Sequence, residues 1–432
     1  MKRKLTSILI MMAMVLSLTA CAGTQTVYDS GAGASAAEEK PDNAAPEPEK
    51  QPEKEAQSED GEDDFRIGIV TGSFSQSEDD RRGAEAFQDK YGEDRVTLAI
   101  YPDNFTEEAE ATVQTIVNLS EDPKMKAIIV NQAVDGTTEA FRRIKESRPD
   151  ILCIAGEPYE DFADIGEVAD LVVCSDFVGR GYLMIHTAHE LGCDTFVHIS
   201  FPRHRSYETV SRMVAIMRAA CDEFGMKFET EDAPDPTTEV GVPGAQAYIT
   251  EHVPEWVEKY GQKSAYFCTN DAHTEPLIRK LMECGGYFIE ADLPSPLMGY
   301  PGALDLDLTQ EGADFEKILD KVERAVVEKG GAGRFGTWTY SYGYTCSAGL
   351  AEHAMNVIKG ESEIKDMKAL SAAYSVFSPK AEWSGSEYIE ASTGEKTDNI
   401  FLIYQDTYIM GDPGRYMGST KVEVPEEYFT IE

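Results

Sequence analysis

Short runs of Val, Ile and other apolar residues alternate along this chain with stretches whose apolar positions repeat at helical spacing. Runs at 65–71 (FRIGIVT), 96–101, 126–131 (KAIIVN), 151–156 and 171–175 predict five strands, with helices between them. In the helix after the second strand, Ala109, Val113, Ile116 and Val117 share one face. Near-continuous apolar strands alternating with helices are the pattern of a parallel sheet covered on both faces. After Asp176 the rhythm restarts, with predicted strands at 195–200, 227–231, 264–269, 287–289 and 297–300. Apolar stripes through Val210, Met213, Met217 and Cys221, and through Phe315, Ile318, Val322 and Val326, predict the helices that cover them. The predicted fold class is α/β: two Rossmann-like lobes, each a parallel sheet flanked by helices, at 65–176 and 177–330. Residues 331–432 are less periodic and are expected to supply hinge crossings and elements shared between the lobes, with late strands at 400–410 and 421–431.

The chain begins differently. Lys2, Arg3 and Lys4 precede an apolar run at 5–18 that is too short for a comfortable membrane span, and Leu18-Thr19-Ala20-Cys21 follows it. This predicts a lipoprotein signal peptide over 1–20, with Cys21 lipidated as the mature N-terminus. Residues 21–64 hold Gly, Ala, Ser, Pro, Glu and Lys with almost no large apolar side chain, which predicts an extended acidic tether. The protein is therefore expected on the outer face of the cell membrane, held there by lipid.

A formal net charge of -39 sets the class of partner, because so acidic a surface repels phosphate backbones and argues against nucleic acid. Besides Cys21 there are seven cysteines, an odd number without close spacing, so no disulfide scaffold is expected. Cys153, Cys174 and Cys268 stand inside apolar strand-like runs, where free Cys acts as a small core residue. His186, His189 and Glu190 do not match the spelling of zinc hydrolase motifs, and no G-x-S-x-G or P-loop is present. The sequence thus points to no metal, no cofactor and no catalytic residue; a surface hydrolase using the cleft is the alternative from a different class.

Four segments, in order, are similar to type I periplasmic binding proteins. FRIGIVTGSFSQSEDDRRGAEAF resembles their first strand, loop and helix, and KAIIVNQAVDGTTEAFRRIKESRPDILCIAGE their third strand, helix and fourth strand. ADLVVCSDFVGRGYLMIHTAHELGCD resembles the fifth strand with the first crossing to the second lobe, and SAYFCTNDAHTEPLIRKLMECGG the unit that carries a ligand-facing Asn-Asp pair. The chain also resembles a group of Firmicutes lipoproteins of unknown function. The resemblance implies two lobes joined by a three-strand hinge and closing over a small polar ligand. The closed form would be presented to a membrane ABC importer or, alternatively, to a membrane receptor. Two departures bear on the ligand. Sugar binders of the family carry stacking aromatics where this chain has Ser75, Gln76 and Ser77 beside Phe74, and Gly-Phe-Asp where it has Gly299-Tyr300-Pro301, so ribose-like specificity is not implied.

Ligands of open parallel sheets bind at the carboxyl ends of the strands. First-lobe candidates by that rule are Ser73, Phe74, Asn104, Asn131, Gln132, Glu157 and Tyr159. Second-lobe candidates are Arg203, His204 and Arg205, expected to grip a carboxylate or phosphate, then Asn270, Asp271 and Tyr300. Asp176 stands at the first crossing. Trp338 and Tyr340 lead an aromatic string with Tyr342 and Tyr344 that shares one face if the run is a strand.

Overall fold

The computed structural model describes residues 64–431. The leader, Cys21 and all of the tether except Asp64 lie outside the described residues. In the first lobe β1 (Arg66–Thr71) leads to α1 (Phe74–Tyr91), β2 (Val96–Ile100) to α2 (Ala109–Leu119) and β3 (Met125–Asn131) to α3 (Thr137–Ser147). β4 (Leu152–Gly156) leads to the short α4 (Phe162–Gly166), and β5 (Leu171–Ser175) to α5 (Phe177–Glu190). The five strands pair in parallel in the order β2-β1-β3-β4-β5. Ile67, Ile69, Ile128, Ile129, Val130, Ile154 and Val172 are fully buried, which explains why these strands lack a polar alternate.

The second lobe follows with β6 (Thr195–Ser200), α6 (Glu208–Phe224), β7 (Lys227–Asp232), α7 (Gly241–Tyr260), β8 (Ser264–Cys268), α8 (Asp271–Cys284) and β9 (Tyr287–Phe288). Its four strands are parallel in the order β7-β6-β8-β9. α9 (Tyr300–Leu304) and α10 (Phe315–Glu328) complete it. The run at 297–300 is a turn into α9 rather than a strand: Gly299 takes a left-handed φ of 76° and Pro301 sits in the first helical turn, where its missing N–H costs nothing.

The last hundred residues divide between the lobes. β10 (Gly336–Thr337) is followed by α11 (Tyr342–Ile358), α12 (Met367–Phe377), β11 (Trp383–Ile389), β12 (Lys396–Gln405), β13 (Tyr408–Ile409) and β14 (Arg415–Tyr416). β12 lies parallel to β5 and antiparallel to β11, so the first sheet reads β11-β12-β5-β4-β3-β1-β2, seven strands in all. β10, β13 and β14 form a small separate sheet. The aromatic string is not one strand: Tyr342 and Tyr344 lie on α11, whose first turn Ser341 caps by accepting the Tyr344 N–H. Residues 421–431 are not a strand either. Pro425 interrupts them, and short 3₁₀ turns replace the ladder.

The chain crosses between the sheets near residues 176, 338–341 and 405–407, and polar side chains lock the crossings together. Glu290, fully buried after β9, accepts hydrogen bonds from Arg180 Nε at 2.8 Å, Trp338 Nε1 at 3.0 Å and Thr407 Oγ1 at 3.2 Å. Gln405 Oε1 accepts from the backbone N–H groups of Thr339 and Tyr340 at 2.8 and 3.1 Å. On the first lobe α1 lies against α11 so closely that a Cβ on Gly83 would fall 2.1 Å from the Tyr344 carbonyl oxygen. Among the described residues all seven cysteines are free.

Candidate functional site

The carboxyl ends of β3 and β4 and the start of α1 bring the first-lobe polar groups together. Asn131, fully buried, donates from Nδ2 to Asp80 Oδ1 at 2.8 Å and to Ser347 Oγ at 2.8 Å. Gln132 donates to the other Asp80 oxygen at 3.3 Å and accepts from the Tyr159 hydroxyl. Glu157 has a left-handed backbone, φ 42°, a conformation that costs a non-glycine residue about 1–3 kcal/mol. This turn carries its carboxylate to Ser175, from which it accepts the backbone N–H at 2.8 Å and the hydroxyl at 3.0 Å.

Two carboxylates arrive from the second lobe. Asp271 is the first residue of α8, behind Asn270, which caps that helix by accepting the Ala272 N–H at 3.0 Å. Asp292 follows β9. Among the described residues neither carboxylate accepts a hydrogen bond. Asp79, beside Asp80 on α1, accepts one from Ser341 Oγ at 2.6 Å.

Glu157 and Asp292 both line a cavity of about 60 Å³ between the lobes. Cys174, Ser175, Arg180, Thr209 and Met213 contribute to the same wall.

These acids influence one another. Burial, reinforced by the charge of Asp79 and then of Glu157 and Asp271, pushes Asp80 up to about 8. Burial pushes Asp292 up to about 7 against the pull of Arg180, with Asp271 and Glu157 adding to the push. Crowding by protein, then the charge of Asp79, raises Asp271 to about 6, although this side chain still reaches solvent, which tempers the effect. Asp79 is raised by burial, with its bonds to Ser341 and Ser295 opposing. Five carboxyl groups from two lobes thus form one electrostatically linked set.

The expected cationic grip is absent. Arg203 is spent on Asp235, at 2.7 and 2.9 Å, and Arg205 pairs with Asp232 at 2.7 Å. His204 Nδ1 lies 2.6 Å from the Thr269 carbonyl, and burial holds its pKa down at about 4, so the ring is neutral. A strand-end trio of basic residues in so acidic a chain found acidic neighbours within its own lobe. Arg180, at the cavity, spends three N–H donors on Glu290 and on the carbonyls of Ala291 and Asp292.

The remaining candidates scatter. Ser73 precedes α1 at its N-cap position and Phe74 opens the helix, 48% exposed. Asn104 stands in an exposed turn and donates to Glu107. Asp176 caps α5 through the Gly179 N–H at 2.6 Å. Tyr300 and Trp338 are core residues, bonded to the Gly336 carbonyl and to Glu290, and Tyr340 packs on Phe315 at 5.9 Å. Asp79, Asp80 and Asp292 were not among the sequence candidates, because an acidic chain offers too many carboxylates to single any out. The Asp79-Asp80 doublet just after the first strand loop was the available signal.

The parallel order β2-β1-β3-β4-β5, a second parallel lobe and three crossings make this a type I periplasmic-binding-protein-like fold. Residues 65–336 match the family described as a protein of unknown function (DUF3798). An uncharacterized protein of Treponema pallidum (strain Nichols) is 41% identical over 209 residues, 48% of this chain and 94% of that one. A second from the same organism is 35% identical over 180 residues, 40% of this chain and 81% of its own length. Among solved structures, one from Clostridium difficile 630, described as a candidate transcriptional regulator, aligns with a TM-score of 0.69 at 20% identity. It covers 80% of this chain and 99% of its own, and the likeness is one of fold.

Proposed function

The chain belongs to the DUF3798 family, and we propose that it is an extracytoplasmic solute-binding protein, anchored by lipid at Cys21, that closes its lobes on a small polar molecule. The closed form is then presented to a membrane ABC importer. The observation that carries the reading is the cavity whose wall is shared by Glu157 and Ser175 of one lobe and Thr209, Met213 and Asp292 of the other. A pocket built from both lobes is stabilised by closure, so ligand binding and hinge motion are one equilibrium. DNA binding, the role suggested by the candidate regulator of the same fold, is disfavoured here by a net charge of -39. Among the described residues no helix is long and apolar enough to cross a membrane, and this reading assigns attachment to the leader and Cys21.

Two measurements test this. Small molecules released from the purified full-length chain are identified by mass spectrometry, and the same molecules are added back in a thermal-shift assay, where a true ligand raises Tm. Cys21→Ser moves the protein from the membrane fraction to the soluble fraction. A chain that stays with the membrane after this change is not anchored at Cys21.

A further inference from the structure

We infer that the inter-lobe site takes a small organic cation, an amine or quaternary ammonium, rather than a sugar or an anion; this rests on the solute-binding reading. Glu157 of the first lobe and Asp292 of the second line the cavity, Asp79, Asp80 and Asp271 are electrostatically linked to this pair, and Arg180 is the one cation among the described residues that line it. Its guanidinium is already engaged by Glu290 and two carbonyls. An anion entering here meets unbalanced carboxylates, whereas a cation neutralises them.

Independent features say what kind of ligand suits this set. Tyr342, 2% exposed, brings its hydroxyl to the Cys346 thiol and lies near Glu157 and Cys174 of the cavity wall. Among the described residues the carboxylates of Asp271 and Asp292 accept no hydrogen bond and have lone pairs to offer N–H donors. Tyr159, 53% exposed, stands within reach of the charges of Asp271, Asp80 and Glu157, with the Phe105 ring 6.0 Å away. Aromatic faces beside carboxylates are the chemistry that recognises ammonium groups. A bare metal ion fits less well, because among the described residues no three His, Cys, Asp or Glu converge to hold one.

The test uses the full-length chain in mild detergent, with calorimetry and thermal shift. The probes are putrescine and choline, their neutral isosteres 1,4-butanediol and 3,3-dimethylbutan-1-ol, then ribose and citrate. The expected result is that a cationic probe binds, its isostere binds at least about a hundredfold more weakly, and Asp271→Asn costs about tenfold in affinity. Asp271 is exposed, so this variant folds; Asp292→Asn, read the same way, reports on the cavity wall itself. Binding of ribose, citrate or a neutral isostere, unchanged in Asp271→Asn, overturns the cation while leaving the solute-binding reading in place. A molecule that co-purifies counts by its charge in the same manner. No binding by any probe, with no small molecule released from the chain, removes both readings.

Discussion

Arg180 Nε lies 2.8 Å from Glu290 Oε1, and the two side chains are 2% and 0% exposed. The pair ties the start of α5, just past the first crossing, to the segment after β9, and Trp338 and Thr407 of the other two crossings bond to the same carboxylate. A buried ion pair of this kind adds little over a packed apolar pair, but losing one partner strands the other charge. Glu290→Gln should therefore cost about 3–5 kcal/mol, whereas the double change Glu290→Leu with Arg180→Leu costs less. Urea denaturation of the wild type and the two variants measures this; a single variant with wild-type stability would mean the pair does not hold the hinge.

The carboxyl set makes stability depend on pH. Asp80, buried, is pushed up to about 8 in the folded chain from an ordinary value near 3.8. Between those values the folded state holds a proton that the unfolded state has lost, so stability falls as pH rises. This contribution is fully present below about pH 4 and gone above about pH 8. Asp292, pushed up to about 7, acts in the same direction. Thermal unfolding of the ligand-free chain from pH 4 to pH 8 should show the decline, and Asp80→Asn should flatten it.

A cation bound among these groups reverses the trend, because it favours the ionised form of each carboxyl. Affinity for a cationic ligand should rise from pH 6 to pH 8 as Asp271, Asp292 and Asp80 ionise near 6, 7 and 8. It should also weaken with added salt, more steeply at the exposed Asp271 than at the buried Asp80. Calorimetric titration at three pH values and two ionic strengths reads both effects; flat profiles would place the ligand away from the carboxylates.

Gly83→Ala should destabilise the first lobe. The new methyl would meet a backbone carbonyl at 2.1 Å, and backbone cannot turn aside as a side chain can, so α1 must move off α11. Overpacking of this kind costs about 1–3 kcal/mol. Asp79 and Asp80 ride on the same helix, so the variant should also lose ligand affinity, which separates it from a purely surface effect.

Arg212 is 2% exposed on α6 and donates to the carbonyls of Phe429 and Ile431, at 3.0 Å each, and of Ile389 at 3.3 Å. Arg212→Met leaves those carbonyls unsatisfied and should cost about 3 kcal/mol. Limited proteolysis should then cut near the C-terminus of the variant at protease concentrations that spare the wild type.

Much of the scaffold was legible because strands covered on both faces announce themselves as unbroken apolar runs. β1 to β5 and β6 to β8 stand where their patterns put them to within a residue or so. The last hundred residues resisted because hinge crossings are short and satisfy their polar groups through distant side chains such as Glu290 and Gln405, which local periodicity does not encode. Asn131, Gln132, Glu157 and Tyr159 are candidates by the strand-end rule, and Asn270 and Asp271 by that rule together with the resemblance. The fate of Arg203 and Arg205 was not, since Asp232 and Asp235 are about thirty residues away in sequence and become neighbours only when β7 pairs with β6.

The seven-stranded sheet sets an order on synthesis. β5 is wholly buried, and the strand that seals its outer edge, β12, is encoded more than two hundred residues later. Throughout elongation that edge offers an unpaired ladder of apolar residues, the kind of surface that recruits a wrong strand from a neighbouring chain. A premature stop between β9 and Lys396 would release a product with both sheets substantially drawn but one edge permanently open, and its fate would be aggregation rather than partial function.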